Sequence, residues 1–185
     1  LRYLNLTKGT EREAPAHYGL GWLYHHQGIY HCAAQSFDRA IIVDDLQSRK
    51  SLYYEAVNHK LSGNFQRAMN TFKEFGNRYK EGMWVEQAYY EWGISAFEAG
   101  NYDGAITILL NLIRQQDSLS NSAQVYTLLG EIFYANNEYT SAVTAFEQAE
   151  TMGNVDPSLR RQAQFQKAWV LHRNQAFEQA QPLFE

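Results

Sequence analysis

The sequence predicts an all-α chain built from about five antiparallel helix pairs placed one after another. Three observations carry that reading. Proline is scarce, with 3 in 185 residues, so long helices are seldom interrupted. Apolar residues recur at helical spacing, as in Leu20, Leu23 and Tyr24 or Leu129, Ile132 and Phe133. Five segments also align in register at five positions, a periodicity that marks an array of like units.

Each copy opens with a small residue: Gly21, Ala56, Gly93, Gly130 or Ala168. Seven residues later stands Gly28, Gly63, Gly100, Asn137 or Gln175, the place where a left-handed residue ends a helix at least cost. Two further on is an aromatic: Tyr30, Phe65, Tyr102, Tyr139 or Phe177. An alanine follows after three (Ala33, Ala68, Ala105, Ala142, Ala180) and a large apolar residue after four more (Phe37, Phe72, Leu109, Phe146, Phe184). The small residues recur at intervals of 35, 37, 37 and 38. The small residue and the alanine let two helix axes approach closely, and the aromatic near the turn fills the wedge between them.

Taken in order, residues 1–10 ("LRYLNL" at their head) read as the tail of a preceding helix. The first copy, 14–47, starts at Ala14-Pro15 with proline at the first helical position, turns at Gln27-Gly28, and resumes helical spacing at Ala33, Phe37, Ala40 and Ile41. The second, 49–84, and the third, 86–121, turn at Gly63 and Gly100; extra residues between pairs are expected around "FGNRYKEGMWV" and "TMGNVDPSLRR". The fourth, 123–159, turns at Asn137, and Asp156-Pro157 is a second proline start. In the fifth, 161–185, Pro182 lies early in the last helix and predicts a kink. Neither end carries the polar face of a terminal unit, so the chain reads as an internal piece of a longer array.

This pattern resembles the tetratricopeptide repeat (TPR), a helix-turn-helix unit of about 34 residues. The resemblance covers residues 14–185 and is clearest in Leu20-Gly21, Tyr24, Ala33, Phe37 and Ala40. The second and fifth copies carry Ala56 and Ala168 in place of the early glycine, and the proline common at the end of the family's unit is missing from every copy. The stretched spacing and the Phe72, Phe75, Tyr79 ending are similar to bacterial envelope-associated members of the family; the compartment, envelope or cytoplasm, is left open. The resemblance implies a right-handed α-solenoid whose first helices line a concave face.

It also implies that the second, fifth, ninth and twelfth positions of each unit point into that groove. These are Pro15, Tyr18, Trp22 and His25; Lys50, Tyr53, Val57 and Lys60; Gln87, Tyr90, Ile94 and Phe97; Gln124, Thr127, Glu131 and Tyr134; and Gln162, Phe165, Trp169 and His172. None of them is expected to be needed for packing within a unit. Tyrosine and tryptophan join a large apolar face to a polar handle and are favoured at binding hot spots. The groove is therefore expected to hold a peptide or helix segment of another protein, with Tyr18, Trp22, His25, Tyr53, Lys60, Tyr90, Phe97, Glu131, Tyr134, Phe165, Trp169 and His172 as contacts. Some family members clasp a chaperone's terminal carboxylate with Lys, Arg and Asn on these faces. Here the corresponding places offer Tyr18, Trp22, Tyr54, Gln87 and Glu91, so that basic clamp is absent. A structural or self-assembling spacer array without a dedicated peptide ligand, its aromatics packed between repeats or its ends stacked on one another, is the alternative.

Other classes are disfavoured. A net charge of −4 without a Lys/Arg run argues against nucleic acid. No apolar run reaches the roughly 20 residues that span a bilayer. Glu91, Glu98 and Glu131 are scattered, and no phosphate loop or Zn-helix motif appears, so no enzyme and no cofactor are expected. The stretch "YHHQGIYHC" gathers His25, His26, His31 and Cys32, but its Gln27-Gly28 is the hairpin turn. Adjacent helical residues point about 100° apart, and four ligands on a turn do not converge as tetrahedral Zn requires. A single cysteine leaves no intrachain disulfide.

Overall fold

The computed structural model describes residues 12–41, 46–81, 83–115, 119–152 and 155–184. Among these the chain forms α1 (Glu13–His26), α2 (Tyr30–Asp38), α3 (Leu46–Leu61), α4 (Phe65–Arg78), α5 (Met83–Glu98), α6 (Tyr102–Gln115), α7 (Ser122–Ala135), α8 (Tyr139–Thr151), α9 (Pro157–Arg173) and α10 (Phe177–Ala180), then a 3-10 turn over Gln181–Leu183. The described residues contain no strand. The helix tail expected over 1–10 lies outside them.

Two compact units divide the chain, residues 1–99 and 100–185. In the first, α1 packs on α2, α2 on α3, α3 on α4 and α4 on α5, and α3 also touches α5. In the second, α6 packs on α7, α7 on α8, α8 on α9 and α9 on α10, and α7 touches α9.

The turns behave as their sequence dictates. Gly28, Gly63 and Gly100 take φ of 72°, 74° and 74°, and Asn137 and Gln175 take 63° and 61° in the same left-handed region. Around Gly28, Gly63, Asn137 and Gln175 the same two bonds recur. The Gly28 N–H donates to the His25 carbonyl at 3.0 Å and the Ile29 N–H to Tyr24 at 2.9 Å; Asn137 and Glu138 repeat this onto Tyr134 and Phe133 at 3.0 and 2.8 Å. Those bonds satisfy carbonyls that a helix end leaves open.

Helix starts conform less closely. Pro157 does open α9, and Asp156 caps it by accepting the Ser158 N–H at 2.7 Å. The start expected at Ala14-Pro15 is displaced, because α1 begins at Glu13 and Pro15 is its third residue. The first-turn amides have no intrahelical partner, so a proline there removes nothing. The stretch "FGNRYKEGMWV" is mostly helix rather than insertion, since α4 runs to Arg78 and α5 starts at Met83. At Pro182 the last helix does change course, from α10 into the 3-10 turn.

Packing turns on a ring set against a residue with no side chain. Phe37 is wholly buried and lies over Gly21, where a Cβ would come within 2.8 Å of the ring. Phe146 lies over Gly130 in the second unit, where the distance would be 2.6 Å. Phe72, Leu109 and the alanines Ala33, Ala68, Ala105 and Ala142 are buried as completely. Removing such a phenylalanine from water contributes about 1.5–3 kcal/mol. The last copy departs from the rule: Ala180 is buried, but Phe184 remains 46% exposed.

A polar recess of about 280 Å³ opens on the α2, α3 and α4 side of the first unit, lined by residues that include Asp38, Glu55, His59, Arg67 and Thr71. Glu55 approaches His59 at 3.6 Å and accepts from the Thr71 hydroxyl at 3.5 Å. Burial raises the Glu55 carboxyl above the ordinary glutamate value; the nearby carboxylates of Asp38 and Glu74 add to this, and His59 opposes it.

Two outcomes are expected. In α1, Gly19 has open space where its Cβ would stand, whereas Gly21 does not. Gly19→Ala should therefore stabilise the chain by about 0.5–1 kcal/mol, and Gly21→Ala should destabilise it by about 1–2 kcal/mol, read by urea unfolding. For Glu55, the stability it contributes is full below the ordinary glutamate range and is lost as pH rises through its raised folded value. Glu55→Gln removes that loss, so its Tm relative to the parent should climb with pH in a thermal series; a difference that is flat or falls would contradict the assignment.

Candidate functional site

The positions expected to face a groove all lie on first helices: Tyr18, Trp22 and His25 on α1, Lys50, Tyr53, Val57 and Lys60 on α3, and Gln87, Tyr90, Ile94 and Phe97 on α5. In the second unit, α7 carries Gln124, Thr127, Glu131 and Tyr134, and α9 carries Gln162, Phe165, Trp169 and His172. Pro15, Gln124, Tyr134, Gln162, Phe165, Trp169 and His172 are exposed, and most of the others are half-buried.

The expectation that none of them serves packing within a unit is overturned, most plainly at Tyr53, Trp22 and Thr127. Tyr53 is only 7% exposed and belongs to the core with Leu52, Ala56, Phe72 and Phe75. Its ring meets Trp84 of α5 edge-on at 4.9 Å. Trp22 sits 5.8 Å from Phe37 and 4.5 Å from Tyr54 of α3. Thr127 is buried, its hydroxyl donating to the Ala123 carbonyl at 2.8 Å. In the first unit the reason is plain, since the first helix of the next pair lies over the rings of the one before.

The polar anchors are engaged in the same way. His25 Nδ1 is 2.9 Å from Asn58 Oδ1, joining α1 to α3. Lys60 forms an ion pair with Glu91, joining α3 to α5, and Gln87 donates to the same carboxylate at 3.2 Å. In the second unit Gln166 donates to Glu131 at 2.6 Å, joining α9 to α7. Three of the expected contacts, His25, Lys60 and Glu131, are thus rungs between successive first helices.

In the first unit these faces enclose a recess of about 340 Å³, lined by His25, Tyr53, Tyr54, Val57, Trp84, Gln87 and Glu91. Three of its rings hold one another edge-on: Tyr53 and Tyr54 at 5.2 Å, Tyr54 and Trp84 at 5.8 Å, and the Tyr53–Trp84 pair already described. Burial and then the Glu91 carboxylate raise the Tyr53 phenol well above its ordinary value, so it stays a neutral hydrogen-bonding group.

Sequence reasoning placed Tyr53, Val57, Gln87 and His25 on this face but passed over Asn58 and Trp84. Trp84 fell in a stretch read as linker, although Trp84, Ala88 and Glu91 share one helical face. Asn58 carried no signal of its own, because its partner lies 33 residues away.

The second unit ends in a cluster of exposed rings. Phe165, Trp169 and Phe184 meet at 6.1–6.3 Å, Trp169 lies 6.0 Å from His172, and His172 5.2 Å from Phe177. This arrangement mirrors Tyr18, Trp22 and Phe37 of the first copy, without the ring that Tyr54 supplies there.

Elsewhere, the side chains of "YHHQGIYHC" do not converge. His25 bonds Asn58, and His31 accepts from Gln35 at 3.0 Å. Among the described residues no three His, Cys, Asp or Glu side chains are grouped to hold a metal. Nor is any helix among them long and apolar enough to cross a membrane.

Comparison with known proteins places this geometry. None of the curated proteins matches the chain in sequence. Among solved structures it is similar to MamA (residues 41 to the end) from Desulfovibrio magneticus RS-1, with a TM-score of 0.75 and 17% identity over 92% of this chain and 90% of that one. It is also similar to a putative kinesin light chain of Podospora anserina with nearly identical TPR-like repeats, with a TM-score of 0.71 and 16% identity over 92% and 90%. At those identities the likeness shows the all-α solenoid fold alone. The tetratricopeptide repeat family profile matches residues 90–157 and 128–185, together more than half the sequence. With the repeat geometry described above, this identifies the chain as a member of the tetratricopeptide repeat family.

Proposed function

We propose that the chain is a protein–protein interaction module whose first-helix faces hold a segment of a partner protein. The observation that carries this reading is the aromatic-walled recess between α1, α3 and α5, a concave, mostly apolar site with a few placed polar groups. Exposed Tyr134, Phe165 and Trp169 extend the aromatic character of these faces to the second unit. An acid–base role finds little support, because Glu91 and Glu131 already bridge helices. On this reading the repeats 14–47, 49–84, 86–121, 123–159 and 161–185 act as one array.

Affinity capture from the native host, quantified by mass spectrometry, tests this. The wild-type chain should retain a defined set of proteins. Tyr134→Ala combined with Gln124→Ala on α7 should lose a part of that set, and exposed Lys73→Ala on α4 should lose none. A captured set that ignores the first-helix substitutions would sink the reading.

The ring cluster at α9 and α10 favours a second reading, a spacer array that associates through its ends. Solvent-facing aromatic patches of this kind commonly mark association surfaces. Light scattering should then give a mass that rises with concentration and falls back to the monomer in Trp169→Glu; a monomer at every concentration would exclude it.

A further inference from the structure

The recess between α1, α3 and α5 has a chemistry that narrows what it can hold. Tyr53, Tyr54 and Trp84 brace one another edge-on, so the walls are fixed before anything enters. Aromatic walls beside a carboxylate would ordinarily invite a cation. Here the carboxylate is already matched: Glu91 is paired with Lys60 and accepts from Gln87, and its side chain is only 15% exposed. An entering ammonium or guanidinium would meet the Lys60 charge, and an entering carboxylate would meet Glu91. Either would lose its water without gaining a free counter-charge.

His25 offers the recess an uncharged hydrogen-bonding group. Asn58 is wholly buried and its Nδ2 donates to the Tyr54 carbonyl at 2.7 Å. That fixes the amide, so its Oδ1 is the acceptor for His25 Nδ1 at 2.9 Å. The neutral imidazole therefore carries its proton on Nδ1 and leaves Nε2 as an acceptor on a residue that lines the recess. An extended chain has backbone N–H groups free to meet it, whereas a helix interior has none.

We propose that this recess seats one bulky uncharged side chain, aromatic or long aliphatic, from an extended segment of a partner protein, and that it rejects lysine, arginine and a terminal carboxylate. The proposal rests on the protein-binding reading above and gives it a residue preference. Val57, on the wall, controls the free volume: Val57→Phe fills the recess from within, and Val57→Ala enlarges it.

The test is a selection of displayed random 12-residue peptides against the chain, followed by calorimetric titration of the enriched peptides. Circular dichroism checks that each variant remains folded. Enriched sequences should share a Phe, Trp, Leu or Met whose replacement by Ala or Lys weakens binding at least tenfold. Val57→Phe should weaken them as much, whereas Val57→Ala should tolerate them and shift preference toward the larger side chains. Peptides that bind through a Lys, an Arg or a terminal carboxylate sensitive to Val57 would overturn the proposal and leave the protein-binding reading standing. So would peptides indifferent to both Val57 variants but weakened by Tyr134→Ala. A selection that enriches nothing, or only sequences insensitive to every first-helix substitution, would overturn both.

Discussion

In both units a phenyl ring from a second helix occupies the volume where a side chain on its partner helix would stand. Phe37 fills it over Gly21 and Phe146 over Gly130, each at a distance that no Cβ could share. The helix axes can approach only because that residue has no side chain. With the axes close, the alanines one turn before each ring are excluded from water, and the next first helix can lie against the pair. A left-handed residue in the hairpin turn of each pair then sends the chain back along itself, and backbone bonds around Gly28, Gly63, Asn137 and Gln175 satisfy carbonyls at the helix ends.

Stacking of this kind alters what the first-helix faces can offer. Within the first unit, Tyr54 lies on Trp22 and Trp84 on Tyr53, so part of the aromatic stripe is interior. The polar residues between stripes become cross-links: His25 to Asn58 and Lys60 to Glu91, with Glu131 to Gln166 in the second unit. Charge pairs at this depth add little net stability against an apolar pair, but they fix which helix faces meet. In the first-unit recess these faces leave open shape and apolar surface, with the Glu91 charge already matched by Lys60.

Local features of this fold were legible in the sequence, and relations between helices were not. The small residue, the turn, the alanine and the large apolar residue all lie within 17 residues, so the helix pair could be read directly. Even the turns without glycine, at Asn137 and Gln175, were found by register, and both take positive φ. The depth of Tyr53 was not legible, because it depends on Trp84, 31 residues on and placed in what looked like a linker. The rungs were hidden for the same reason: neither His25 nor Asn58 announces a partner more than 30 residues away. The site is composed of such relations, so its aromatic character could be foreseen but not its balance of charge.

Glycine at these positions admits the ring because it has no side chain. A double-substitution cycle at Gly130 and Phe146, followed by urea unfolding, tests this most directly. With Phe146 in place, Gly130→Ala should destabilise the chain by about 1–3 kcal/mol through overpacking. In the Phe146→Leu background the same change should become neutral or stabilising by up to about 1 kcal/mol, because alanine favours the helix and the ring is gone. An effect of equal sign and size in both backgrounds would contradict the account.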